Sequence, residues 1–372
     1  MVIRSFKFRL LPTKRQHKIL SEIVESQRQL YNAALQERIG AWQKAHKTIR
    51  YFEQSRSLTE CRGALEEMRA LPAAIQRETL KRLDRAMSAF FRRLSAGELP
   101  GFPRFKGRDR FDSFGFSEWK GVRLESGRLW FPVVGGVRIH LHRTTPNSAP
   151  IRAQVCRDSK GWFVCLEYRV EENPLTPTGC CVGLDVGIAQ FAALSTGEVF
   201  PNPKAAHRAI KAIRRRQRAL ARCRLGSKRR KKVKRTLIRE YAVIKNIRRT
   251  FHHQTAAGLV RRFDVIAIEQ LNVLGLSRGF LAREVNDAAW GNFIQTLKDK
   301  AESAGRTVVS VDPSYTSQTC PDCGIVKPKT LSDRIHRCDC GCVLDRDVAA
   351  AKVILHRAVV GPGLAKSLDA AA

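Results

Sequence analysis

The 372-residue chain has no apolar run approaching the roughly 20 residues that span a bilayer, so no transmembrane helix is expected. Its opening, "MVIRSFKFRLLP", lacks the apolar stretch and small-residue cleavage site of a secretory leader. The expected compartment is therefore the prokaryotic cytoplasm, close to the nucleoid, with no membrane partner. Acidic charge is also scarce: 34 Asp and Glu face 68 Lys and Arg, for a net charge of +34. So basic a globular chain needs a polyanion, and without an amphipathic anchor the expected one is nucleic acid. Charge alone binds without sequence preference, so it does not separate a nuclease from other nucleic-acid binders. There is no long internal repeat.

Cysteine is plentiful. Of eleven, five fall between Cys320 and Cys342. An odd count with one tight cluster excludes a secreted disulfide scaffold and reads as a metal site. Cys61, Cys156, Cys165, Cys180, Cys181 and Cys223 are read as buried thiols.

Patterning divides the chain. Phe6, Phe8 and Leu10 alternate with polar residues, predicting a strand over 3–10 that Pro12 ends. Thr13 is placed to cap a helix carrying Ile19, Ile23, Leu30 and Ala34. A second helical segment is expected near 57–70, before Pro72, and a third carries Ile75, Leu83, Met87, Phe90 and Leu94. Residues 13–95 thus read as a helical lobe. Residues 96–172 are rich in short strands, a small β-barrel that the strand of residues 1–12 is able to join. "EENPLTPTG" (171–179) is a linker. Beyond it, 176–318 and 343–358 alternate strands and helices, with a helix expected from about 287 to 304. The tail, 359–372, is expected to be disordered.

Residues 204–249 hold twenty Lys or Arg and one acid, Glu240. Val233, Leu237, Tyr241 and Ile244 recur at helical spacing there, so "RLGSKRRKK" reads as a turn between two basic helices within 204–263. Arg214, Arg215, Arg218, Arg222, Lys228, Arg229, Arg230, Lys231 and Lys232 are the expected phosphate contacts. A solvated charged face is the plainer reading, but no acids alternate to neutralise it.

Asp185 sits in the first of three consecutive strands, Glu269 ends the later apolar strand "DVIAIE", and Asp347 opens the last helix. Singly, each has an ordinary explanation: a strand end, a surface ion pair, a helix cap. In this order they match the needs of an RNase H-like nuclease, whose sheet gathers three carboxylates around Mg²⁺. Asp345 rivals Asp347, while Asp264 and Asp312 read as strand-end residues. Cys320-x₂-Cys323 and Cys338-x-Cys340 flank a fourteen-residue loop and suit one structural Zn²⁺. Cys342 and, more weakly, His336 are substitute ligands.

At "GLDVGI", "IAIEQL", "YTSQTCPDCG" and "CGCVLDRDVAAAKVIL" the chain resembles the TnpB family of transposon-encoded, RNA-guided DNA nucleases, relatives of the type V CRISPR effectors. "FKFRLLPTKRQ", "LYNAAL" and "GFPRFKGRDRFDSFGF" extend the resemblance over roughly residues 1–358. It implies a multidomain α/β protein: a wedge β-barrel (1–12 and 96–172), a helical recognition lobe (13–95), and a RuvC-like, RNase H-like nuclease domain (176–318 and 343–358). A zinc ribbon (319–342) interrupts the last of these. It further implies Asp185, Glu269 and Asp347 as catalytic ligands of two Mg²⁺, and Cys320, Cys323, Cys338 and Cys340 as ligands of one Zn²⁺. The partners it implies are a guide RNA from the transposon end and double-stranded target DNA. Three departures stand out: Ala349 where the family usually has Asn, Gln270 where a second acid is common, and the short second knuckle. A nuclease-inactive guided repressor, a transposase and a RuvC-like resolvase are the alternatives.

Overall fold

The computed structural model describes residues 2–119, 122–171, 174–330 and 333–360, and the chain divides into two compact units, Met1–Glu171 and Glu172–Ala372.

The first unit joins one sheet to a set of helices. Strand β1 (Val2–Leu11) leads into helix α1 (Lys14–Ala45). Thr13 and Gln16 form a capping box, each side chain accepting from the other's backbone N–H, at 3.3 and 3.1 Å. Helices α2 (Tyr51–Ala64), α3 (Glu66–Arg69) and α4 (Ala73–Ser95) follow. The segment expected near 57–70 in fact begins at Tyr51 and breaks at Leu65, whose backbone is extended. Arg62 holds the break by donating to the carbonyls of Met68 and Leu71, both at 2.7 Å. Buried Arg38 ties three helices together through Gln54 (2.8 Å) and Asp84 (3.0 Å). Leu94, expected on the apolar face of α4, is exposed.

Strands β2 (Ser113–Phe116), β3 (Arg123–Glu125), β4 (Arg128–Phe131), β5 (Gly135–His140), β6 (Arg152–Asp158) and β7 (Gly161–Val170) join β1 in the order β2-β6-β7-β1-β5-β4-β3. Alternation puts Trp162, Val164, Leu166 and Tyr168 of β7 inward, all buried with Phe8 and Leu10 of β1. The sheet curls on itself. Phe114 and Phe116 of β2 meet Phe131 of β4, near its other end, with ring centroids 6.1 and 5.8 Å apart.

The second unit is a three-layer α/β structure. Its sheet holds β8 (Cys181–Val186), β9 (Gln190–Leu194), β10 (Val199–Pro201), β11 (Val265–Glu269) and β12 (Thr307–Val311), ordered β10-β9-β8-β11-β12. The first three strands in sequence pair antiparallel, while β8, β11 and β12 are parallel. Helices α5 (Ala205–Ala221) and α6 (Lys228–Arg262) separate β10 from β11; α7 (Val273–Leu276), α8 (Ala282–Ala288) and α9 (Trp290–Ser303) precede β12. The helix expected from about 287 to 304 is α9, which begins just after Ala289, a residue with a left-handed φ of 54° that separates it from α8.

Ile266 and Ile268 of β11 pack with α6 and α9, while Ala267 between them packs with Ile354 of the final helix. That helix, α10 (Arg346–Val360), follows the hairpin β13 (Ile335–Arg337) and β14 (Val343–Asp345). It lies so close to β8 that a Cβ on Gly183 would sit 1.9 Å from the Ala351 carbonyl oxygen. Only glycine under an alanine run permits this approach. Helix α10 includes 359 and 360, expected in the tail, and 361–372 lie outside the described residues. None of the six scattered cysteines is fully buried: Cys156, Cys165 and Cys223 are half-buried, and Cys61, Cys180 and Cys181 are exposed. The last two lie at the solvent-facing start of β8, where the apolar run has not yet entered the core. Among the described residues no helix is long and apolar enough to cross a membrane.

Candidate active site and metal centre

Period-two alternation sends Val182 and Leu184 to one core and leaves Gly183 and Asp185 on the α10 face of β8. Strand β11 runs parallel in the register Ile268↔Leu184, so Glu269 ends its strand beside Asp185. Helix α10 brings Asp347 over the same edge, where a Cβ on Gly187 would lie 3.7 Å from Asp347 Oδ2. Burial pushes the Asp185 carboxyl well above its usual range, and the charges of Glu269 and Asp347 push it further, against Arg346. Burial also raises Glu269, opposed by a hydrogen bond from Thr316 Oγ1 and by Arg357. No choice of oxygens brings all three carboxylates within the 4.8 Å that gathers the cysteine sulfurs.

The rival acids have other work. Asp345 Oδ1 accepts from the N–H groups of Asp347 (2.9 Å) and Val348 (3.3 Å), capping α10. Asp312 folds onto Ser314, and Asp264 pairs with Arg306 at 2.6 Å. Three neighbours escaped the sequence reading. Thr316 holds Glu269, Arg346 pairs with Asp347 at 3.2 Å, and Arg357 donates to the carbonyls of Asp312 and Ser314. Thr316 stood in plain view inside "YTSQTCPDCG", but nothing local links it to a strand 47 residues away.

The sulfurs of Cys320, Cys323, Cys338 and Cys340 lie within 4.8 Å of one another. Cys320–Cys340 is 3.6 Å and Cys323–Cys338 is 3.5 Å. Zn–S bonds of about 2.3 Å in a tetrahedron put sulfurs about 3.8 Å apart, so the four fit one zinc ion with no open position. Gly324 and Gly341, at φ of 76° and 93°, turn the chain after each knuckle. Buried Cys342 groups instead with Cys320 and His336.

Helices α5 and α6 pair through Ile213, Leu237 and Ile244. Arg214, Arg215, Arg218, Arg222, Lys228, Arg229, Lys231 and Lys232 are exposed. Arg230 is half-buried and turned inward, donating to the carbonyls of Leu220 (2.7 Å) and Cys223 (3.3 Å) across the interhelical turn.

Three family models match: "Cas12f1-like, TNB domain" at residues 290–354, "Probable transposase" at 163–278 and "Helix-turn-helix domain" at 1–47. The last span forms β1 and one uninterrupted helix here. A mimivirus (Acanthamoeba polyphaga mimivirus) "TnpB-like protein" is 34% identical across 35% of this chain and 26% of its own. A Streptomyces pristinaespiralis protein named "Putative RNA-guided DNA endonuclease" is 34% identical across 95% of this chain and 89% of its own. The chain belongs to the TnpB family. InsQ of Escherichia coli, similarly named, is 29% identical across 95% of this TnpB chain and 92% of its own. A Cas12f1–sgRNA–target DNA complex shares the fold, with a TM-score of 0.58 at 14% identity over 92% of this chain and 83% of that one.

Proposed function

We propose that this chain is a transposon-encoded, RNA-guided DNA endonuclease. The observation that carries the reading is the half-buried, desolvated Asp185 flanked by Glu269 and Asp347, an anionic cluster in a chain of net charge +34. A site that penalises its own ionisation is one that a cation relieves. Hard carboxylate oxygens on strand ends and a helix start suit Mg²⁺. When bound, two such ions supply an activated water and stabilise the leaving oxygen of a phosphodiester. The chain's own part is to hold the oxygens in place: Thr316 fixes Glu269, Arg346 orients Asp347, and the Asp345 cap anchors the helix start.

On this reading the five-stranded sheet of the second unit with α10 is the RuvC-like nuclease domain (176–318 and 343–358), and 319–342 is its zinc ribbon. In the first unit, the curled sheet (1–12 and 96–172) is the wedge barrel, and the helices of 13–95 are the recognition lobe. The exposed Arg and Lys of α5 and α6 bind phosphates of the guide RNA and its DNA heteroduplex, while pairing reads the sequence.

Co-expression with the DNA flanking the gene, then sequencing of co-purified RNA, tests the guide. Incubating the complex with matching DNA and Mg²⁺, beside Asp185→Ala, tests the nuclease. One discrete RNA and cleavage absent from the variant support the reading. Binding without cutting points to the repressor. Absence of a discrete RNA sinks the guided reading, and joined rather than hydrolysed ends identify a transposase.

A further inference from the structure

Behind the four knuckle cysteines lies a second cluster. The ligand atoms of Cys320, His336 and Cys342 fall within 4.8 Å of one another, and all three residues are buried. His336 is 0% exposed and its Nε2 has no hydrogen-bond partner. Such a nitrogen is costly to bury unless something receives or supplies its proton. Two chemistries meet that need: Nε2 ligates a second metal through its lone pair, or it donates a proton to sulfur.

Lys329 decides between them. Its Nζ meets His336 Nδ1 and also donates to the Ser317 carbonyl at 2.7 Å. An ammonium donates and never accepts, so Nδ1 is the acceptor and the ring proton sits on Nε2. A protonated Nε2 has no lone pair for a metal. It is a donor on a ring that clusters with two sulfurs, one of which, Cys320, also belongs to the four-cysteine set. Four thiolates leave one Zn²⁺ with a net charge of −2, so the buried Cys320 sulfur is a strong acceptor.

We propose that His336, oriented by Lys329, donates its Nε2–H to the metal-bound Cys320 thiolate and is a positioning residue of the zinc centre, with Cys342 outside the ligand set. This rests on the zinc assignment and not on the nuclease reading. The backbone of His336 pairs with Leu344 on β14, the strand that runs into Asp345 and Asp347, so the residue lies on the hairpin leading to the carboxylates.

The test uses the full-length protein, with zinc per chain by elemental analysis, zinc affinity by chelator competition, and the charge-transfer band of the cobalt-substituted form. Wild type is expected to hold one zinc. His336→Leu, which keeps bulk without a donor, should weaken zinc roughly 10- to 100-fold and shift the cobalt band. His336→Gln, whose amide N–H reaches the Nε2 position, should restore most of both. Lys329→Met should fall between them. If His336→Leu does not fold, Lys329→Met carries the test, and unchanged zinc affinity there overturns the proposal. So does unchanged affinity in His336→Leu. Two zinc ions falling to one in that variant would make His336 a ligand instead. A wild type that binds no zinc removes the zinc assignment, and this proposal with it.

Discussion

The second unit holds two ligand clusters built in opposite ways. The four knuckle cysteines come from 21 consecutive residues, Cys320 to Cys340, and two glycine turns aim them inward. The three carboxylates come from positions 185, 269 and 347, and only the packing of α10 on the sheet brings them together. Thiolates that bind one ion tightly shape their own loop, because metal binding and local folding are one equilibrium. Carboxylates drawn from distant elements depend on a rigid frame that is stable without any ion they would hold. The frame here is the packing of α10 on Gly183 and of β11 between β8 and β12.

Breaking either cluster should show the asymmetry. If the proposed nuclease reading holds, the largest effect is expected from Asp185→Ala, which would remove a metal ligand worth several kcal/mol of transition-state stabilisation, or roughly 1,000-fold in cleavage rate. The same site should respond to pH in the metal-free protein. Asp185 has a folded pKa raised above its unfolded value, so its stabilising contribution is complete below the unfolded pKa and is lost as pH rises through the folded one. Metal-free Asp185→Asn should therefore melt higher than wild type at neutral pH, with the gap closing as pH falls. A melting temperature that is equal at both pH values would refute the buried-acid reading. Next comes the zinc. Cys323→Ser should lose the ion and the local fold that it supports, worth about 10–16 kcal/mol of binding in isolated zinc peptides. Because Asp347 follows Cys340 by only seven residues, cleavage should fall with it, while zinc added back in excess should restore part of both.

The same contrast explains what was legible in the sequence. The knuckles were visible because their spacing is local. The acids were visible only as an ordered triple, since an Asp in an apolar strand has many ordinary explanations. The sequence reading placed Asp347 in the site and kept Asp345 as its rival, because local pattern does not show which carboxylate turns back to cap α10. The helix break at Leu65 was missed for a related reason: Leu65 carries no Gly or Pro signal, and the Arg62 side chain that holds the break is not distinguishable in sequence from any exposed arginine. In the basic helices, charge gave the surface but not the exception. Arg230 looks like its neighbours in "SKRRKK" yet points inward.

That exception gives a smaller, sharper test. Replacing Arg214, Arg215, Arg218 and Arg222 together with Ala should weaken nucleic-acid binding and flatten its salt dependence by roughly 0.7 to 0.9 log unit per lost phosphate contact. Arg230→Ala should leave that slope nearly unchanged and lower the melting temperature instead, because it strips two carbonyls of their donor. If Arg230→Ala flattens the slope as an exposed arginine does, its inward pose is not the one that matters in the complex.

The smallest effect is expected at Thr316, which touches Glu269 without being a ligand. Hydrogen bonds to charged groups contribute roughly 1.5–3 kcal/mol, so Thr316→Val should slow cleavage about 10- to 100-fold at limiting Mg²⁺. Because the Thr316 bond lowers the Glu269 pKa against burial, its loss should move the acidic limb of the pH–rate profile upward. Raising pH or Mg²⁺ should then recover part of the rate, and Thr316→Ser should recover nearly all of it. A loss that neither pH, Mg²⁺ nor serine repairs would mean that Thr316 supports only the turn at Pro313, whose carbonyl its hydroxyl also approaches at 3.1 Å. The carboxylate cluster would then depend on its frame alone, and the contrast with the self-shaping thiolates would be complete.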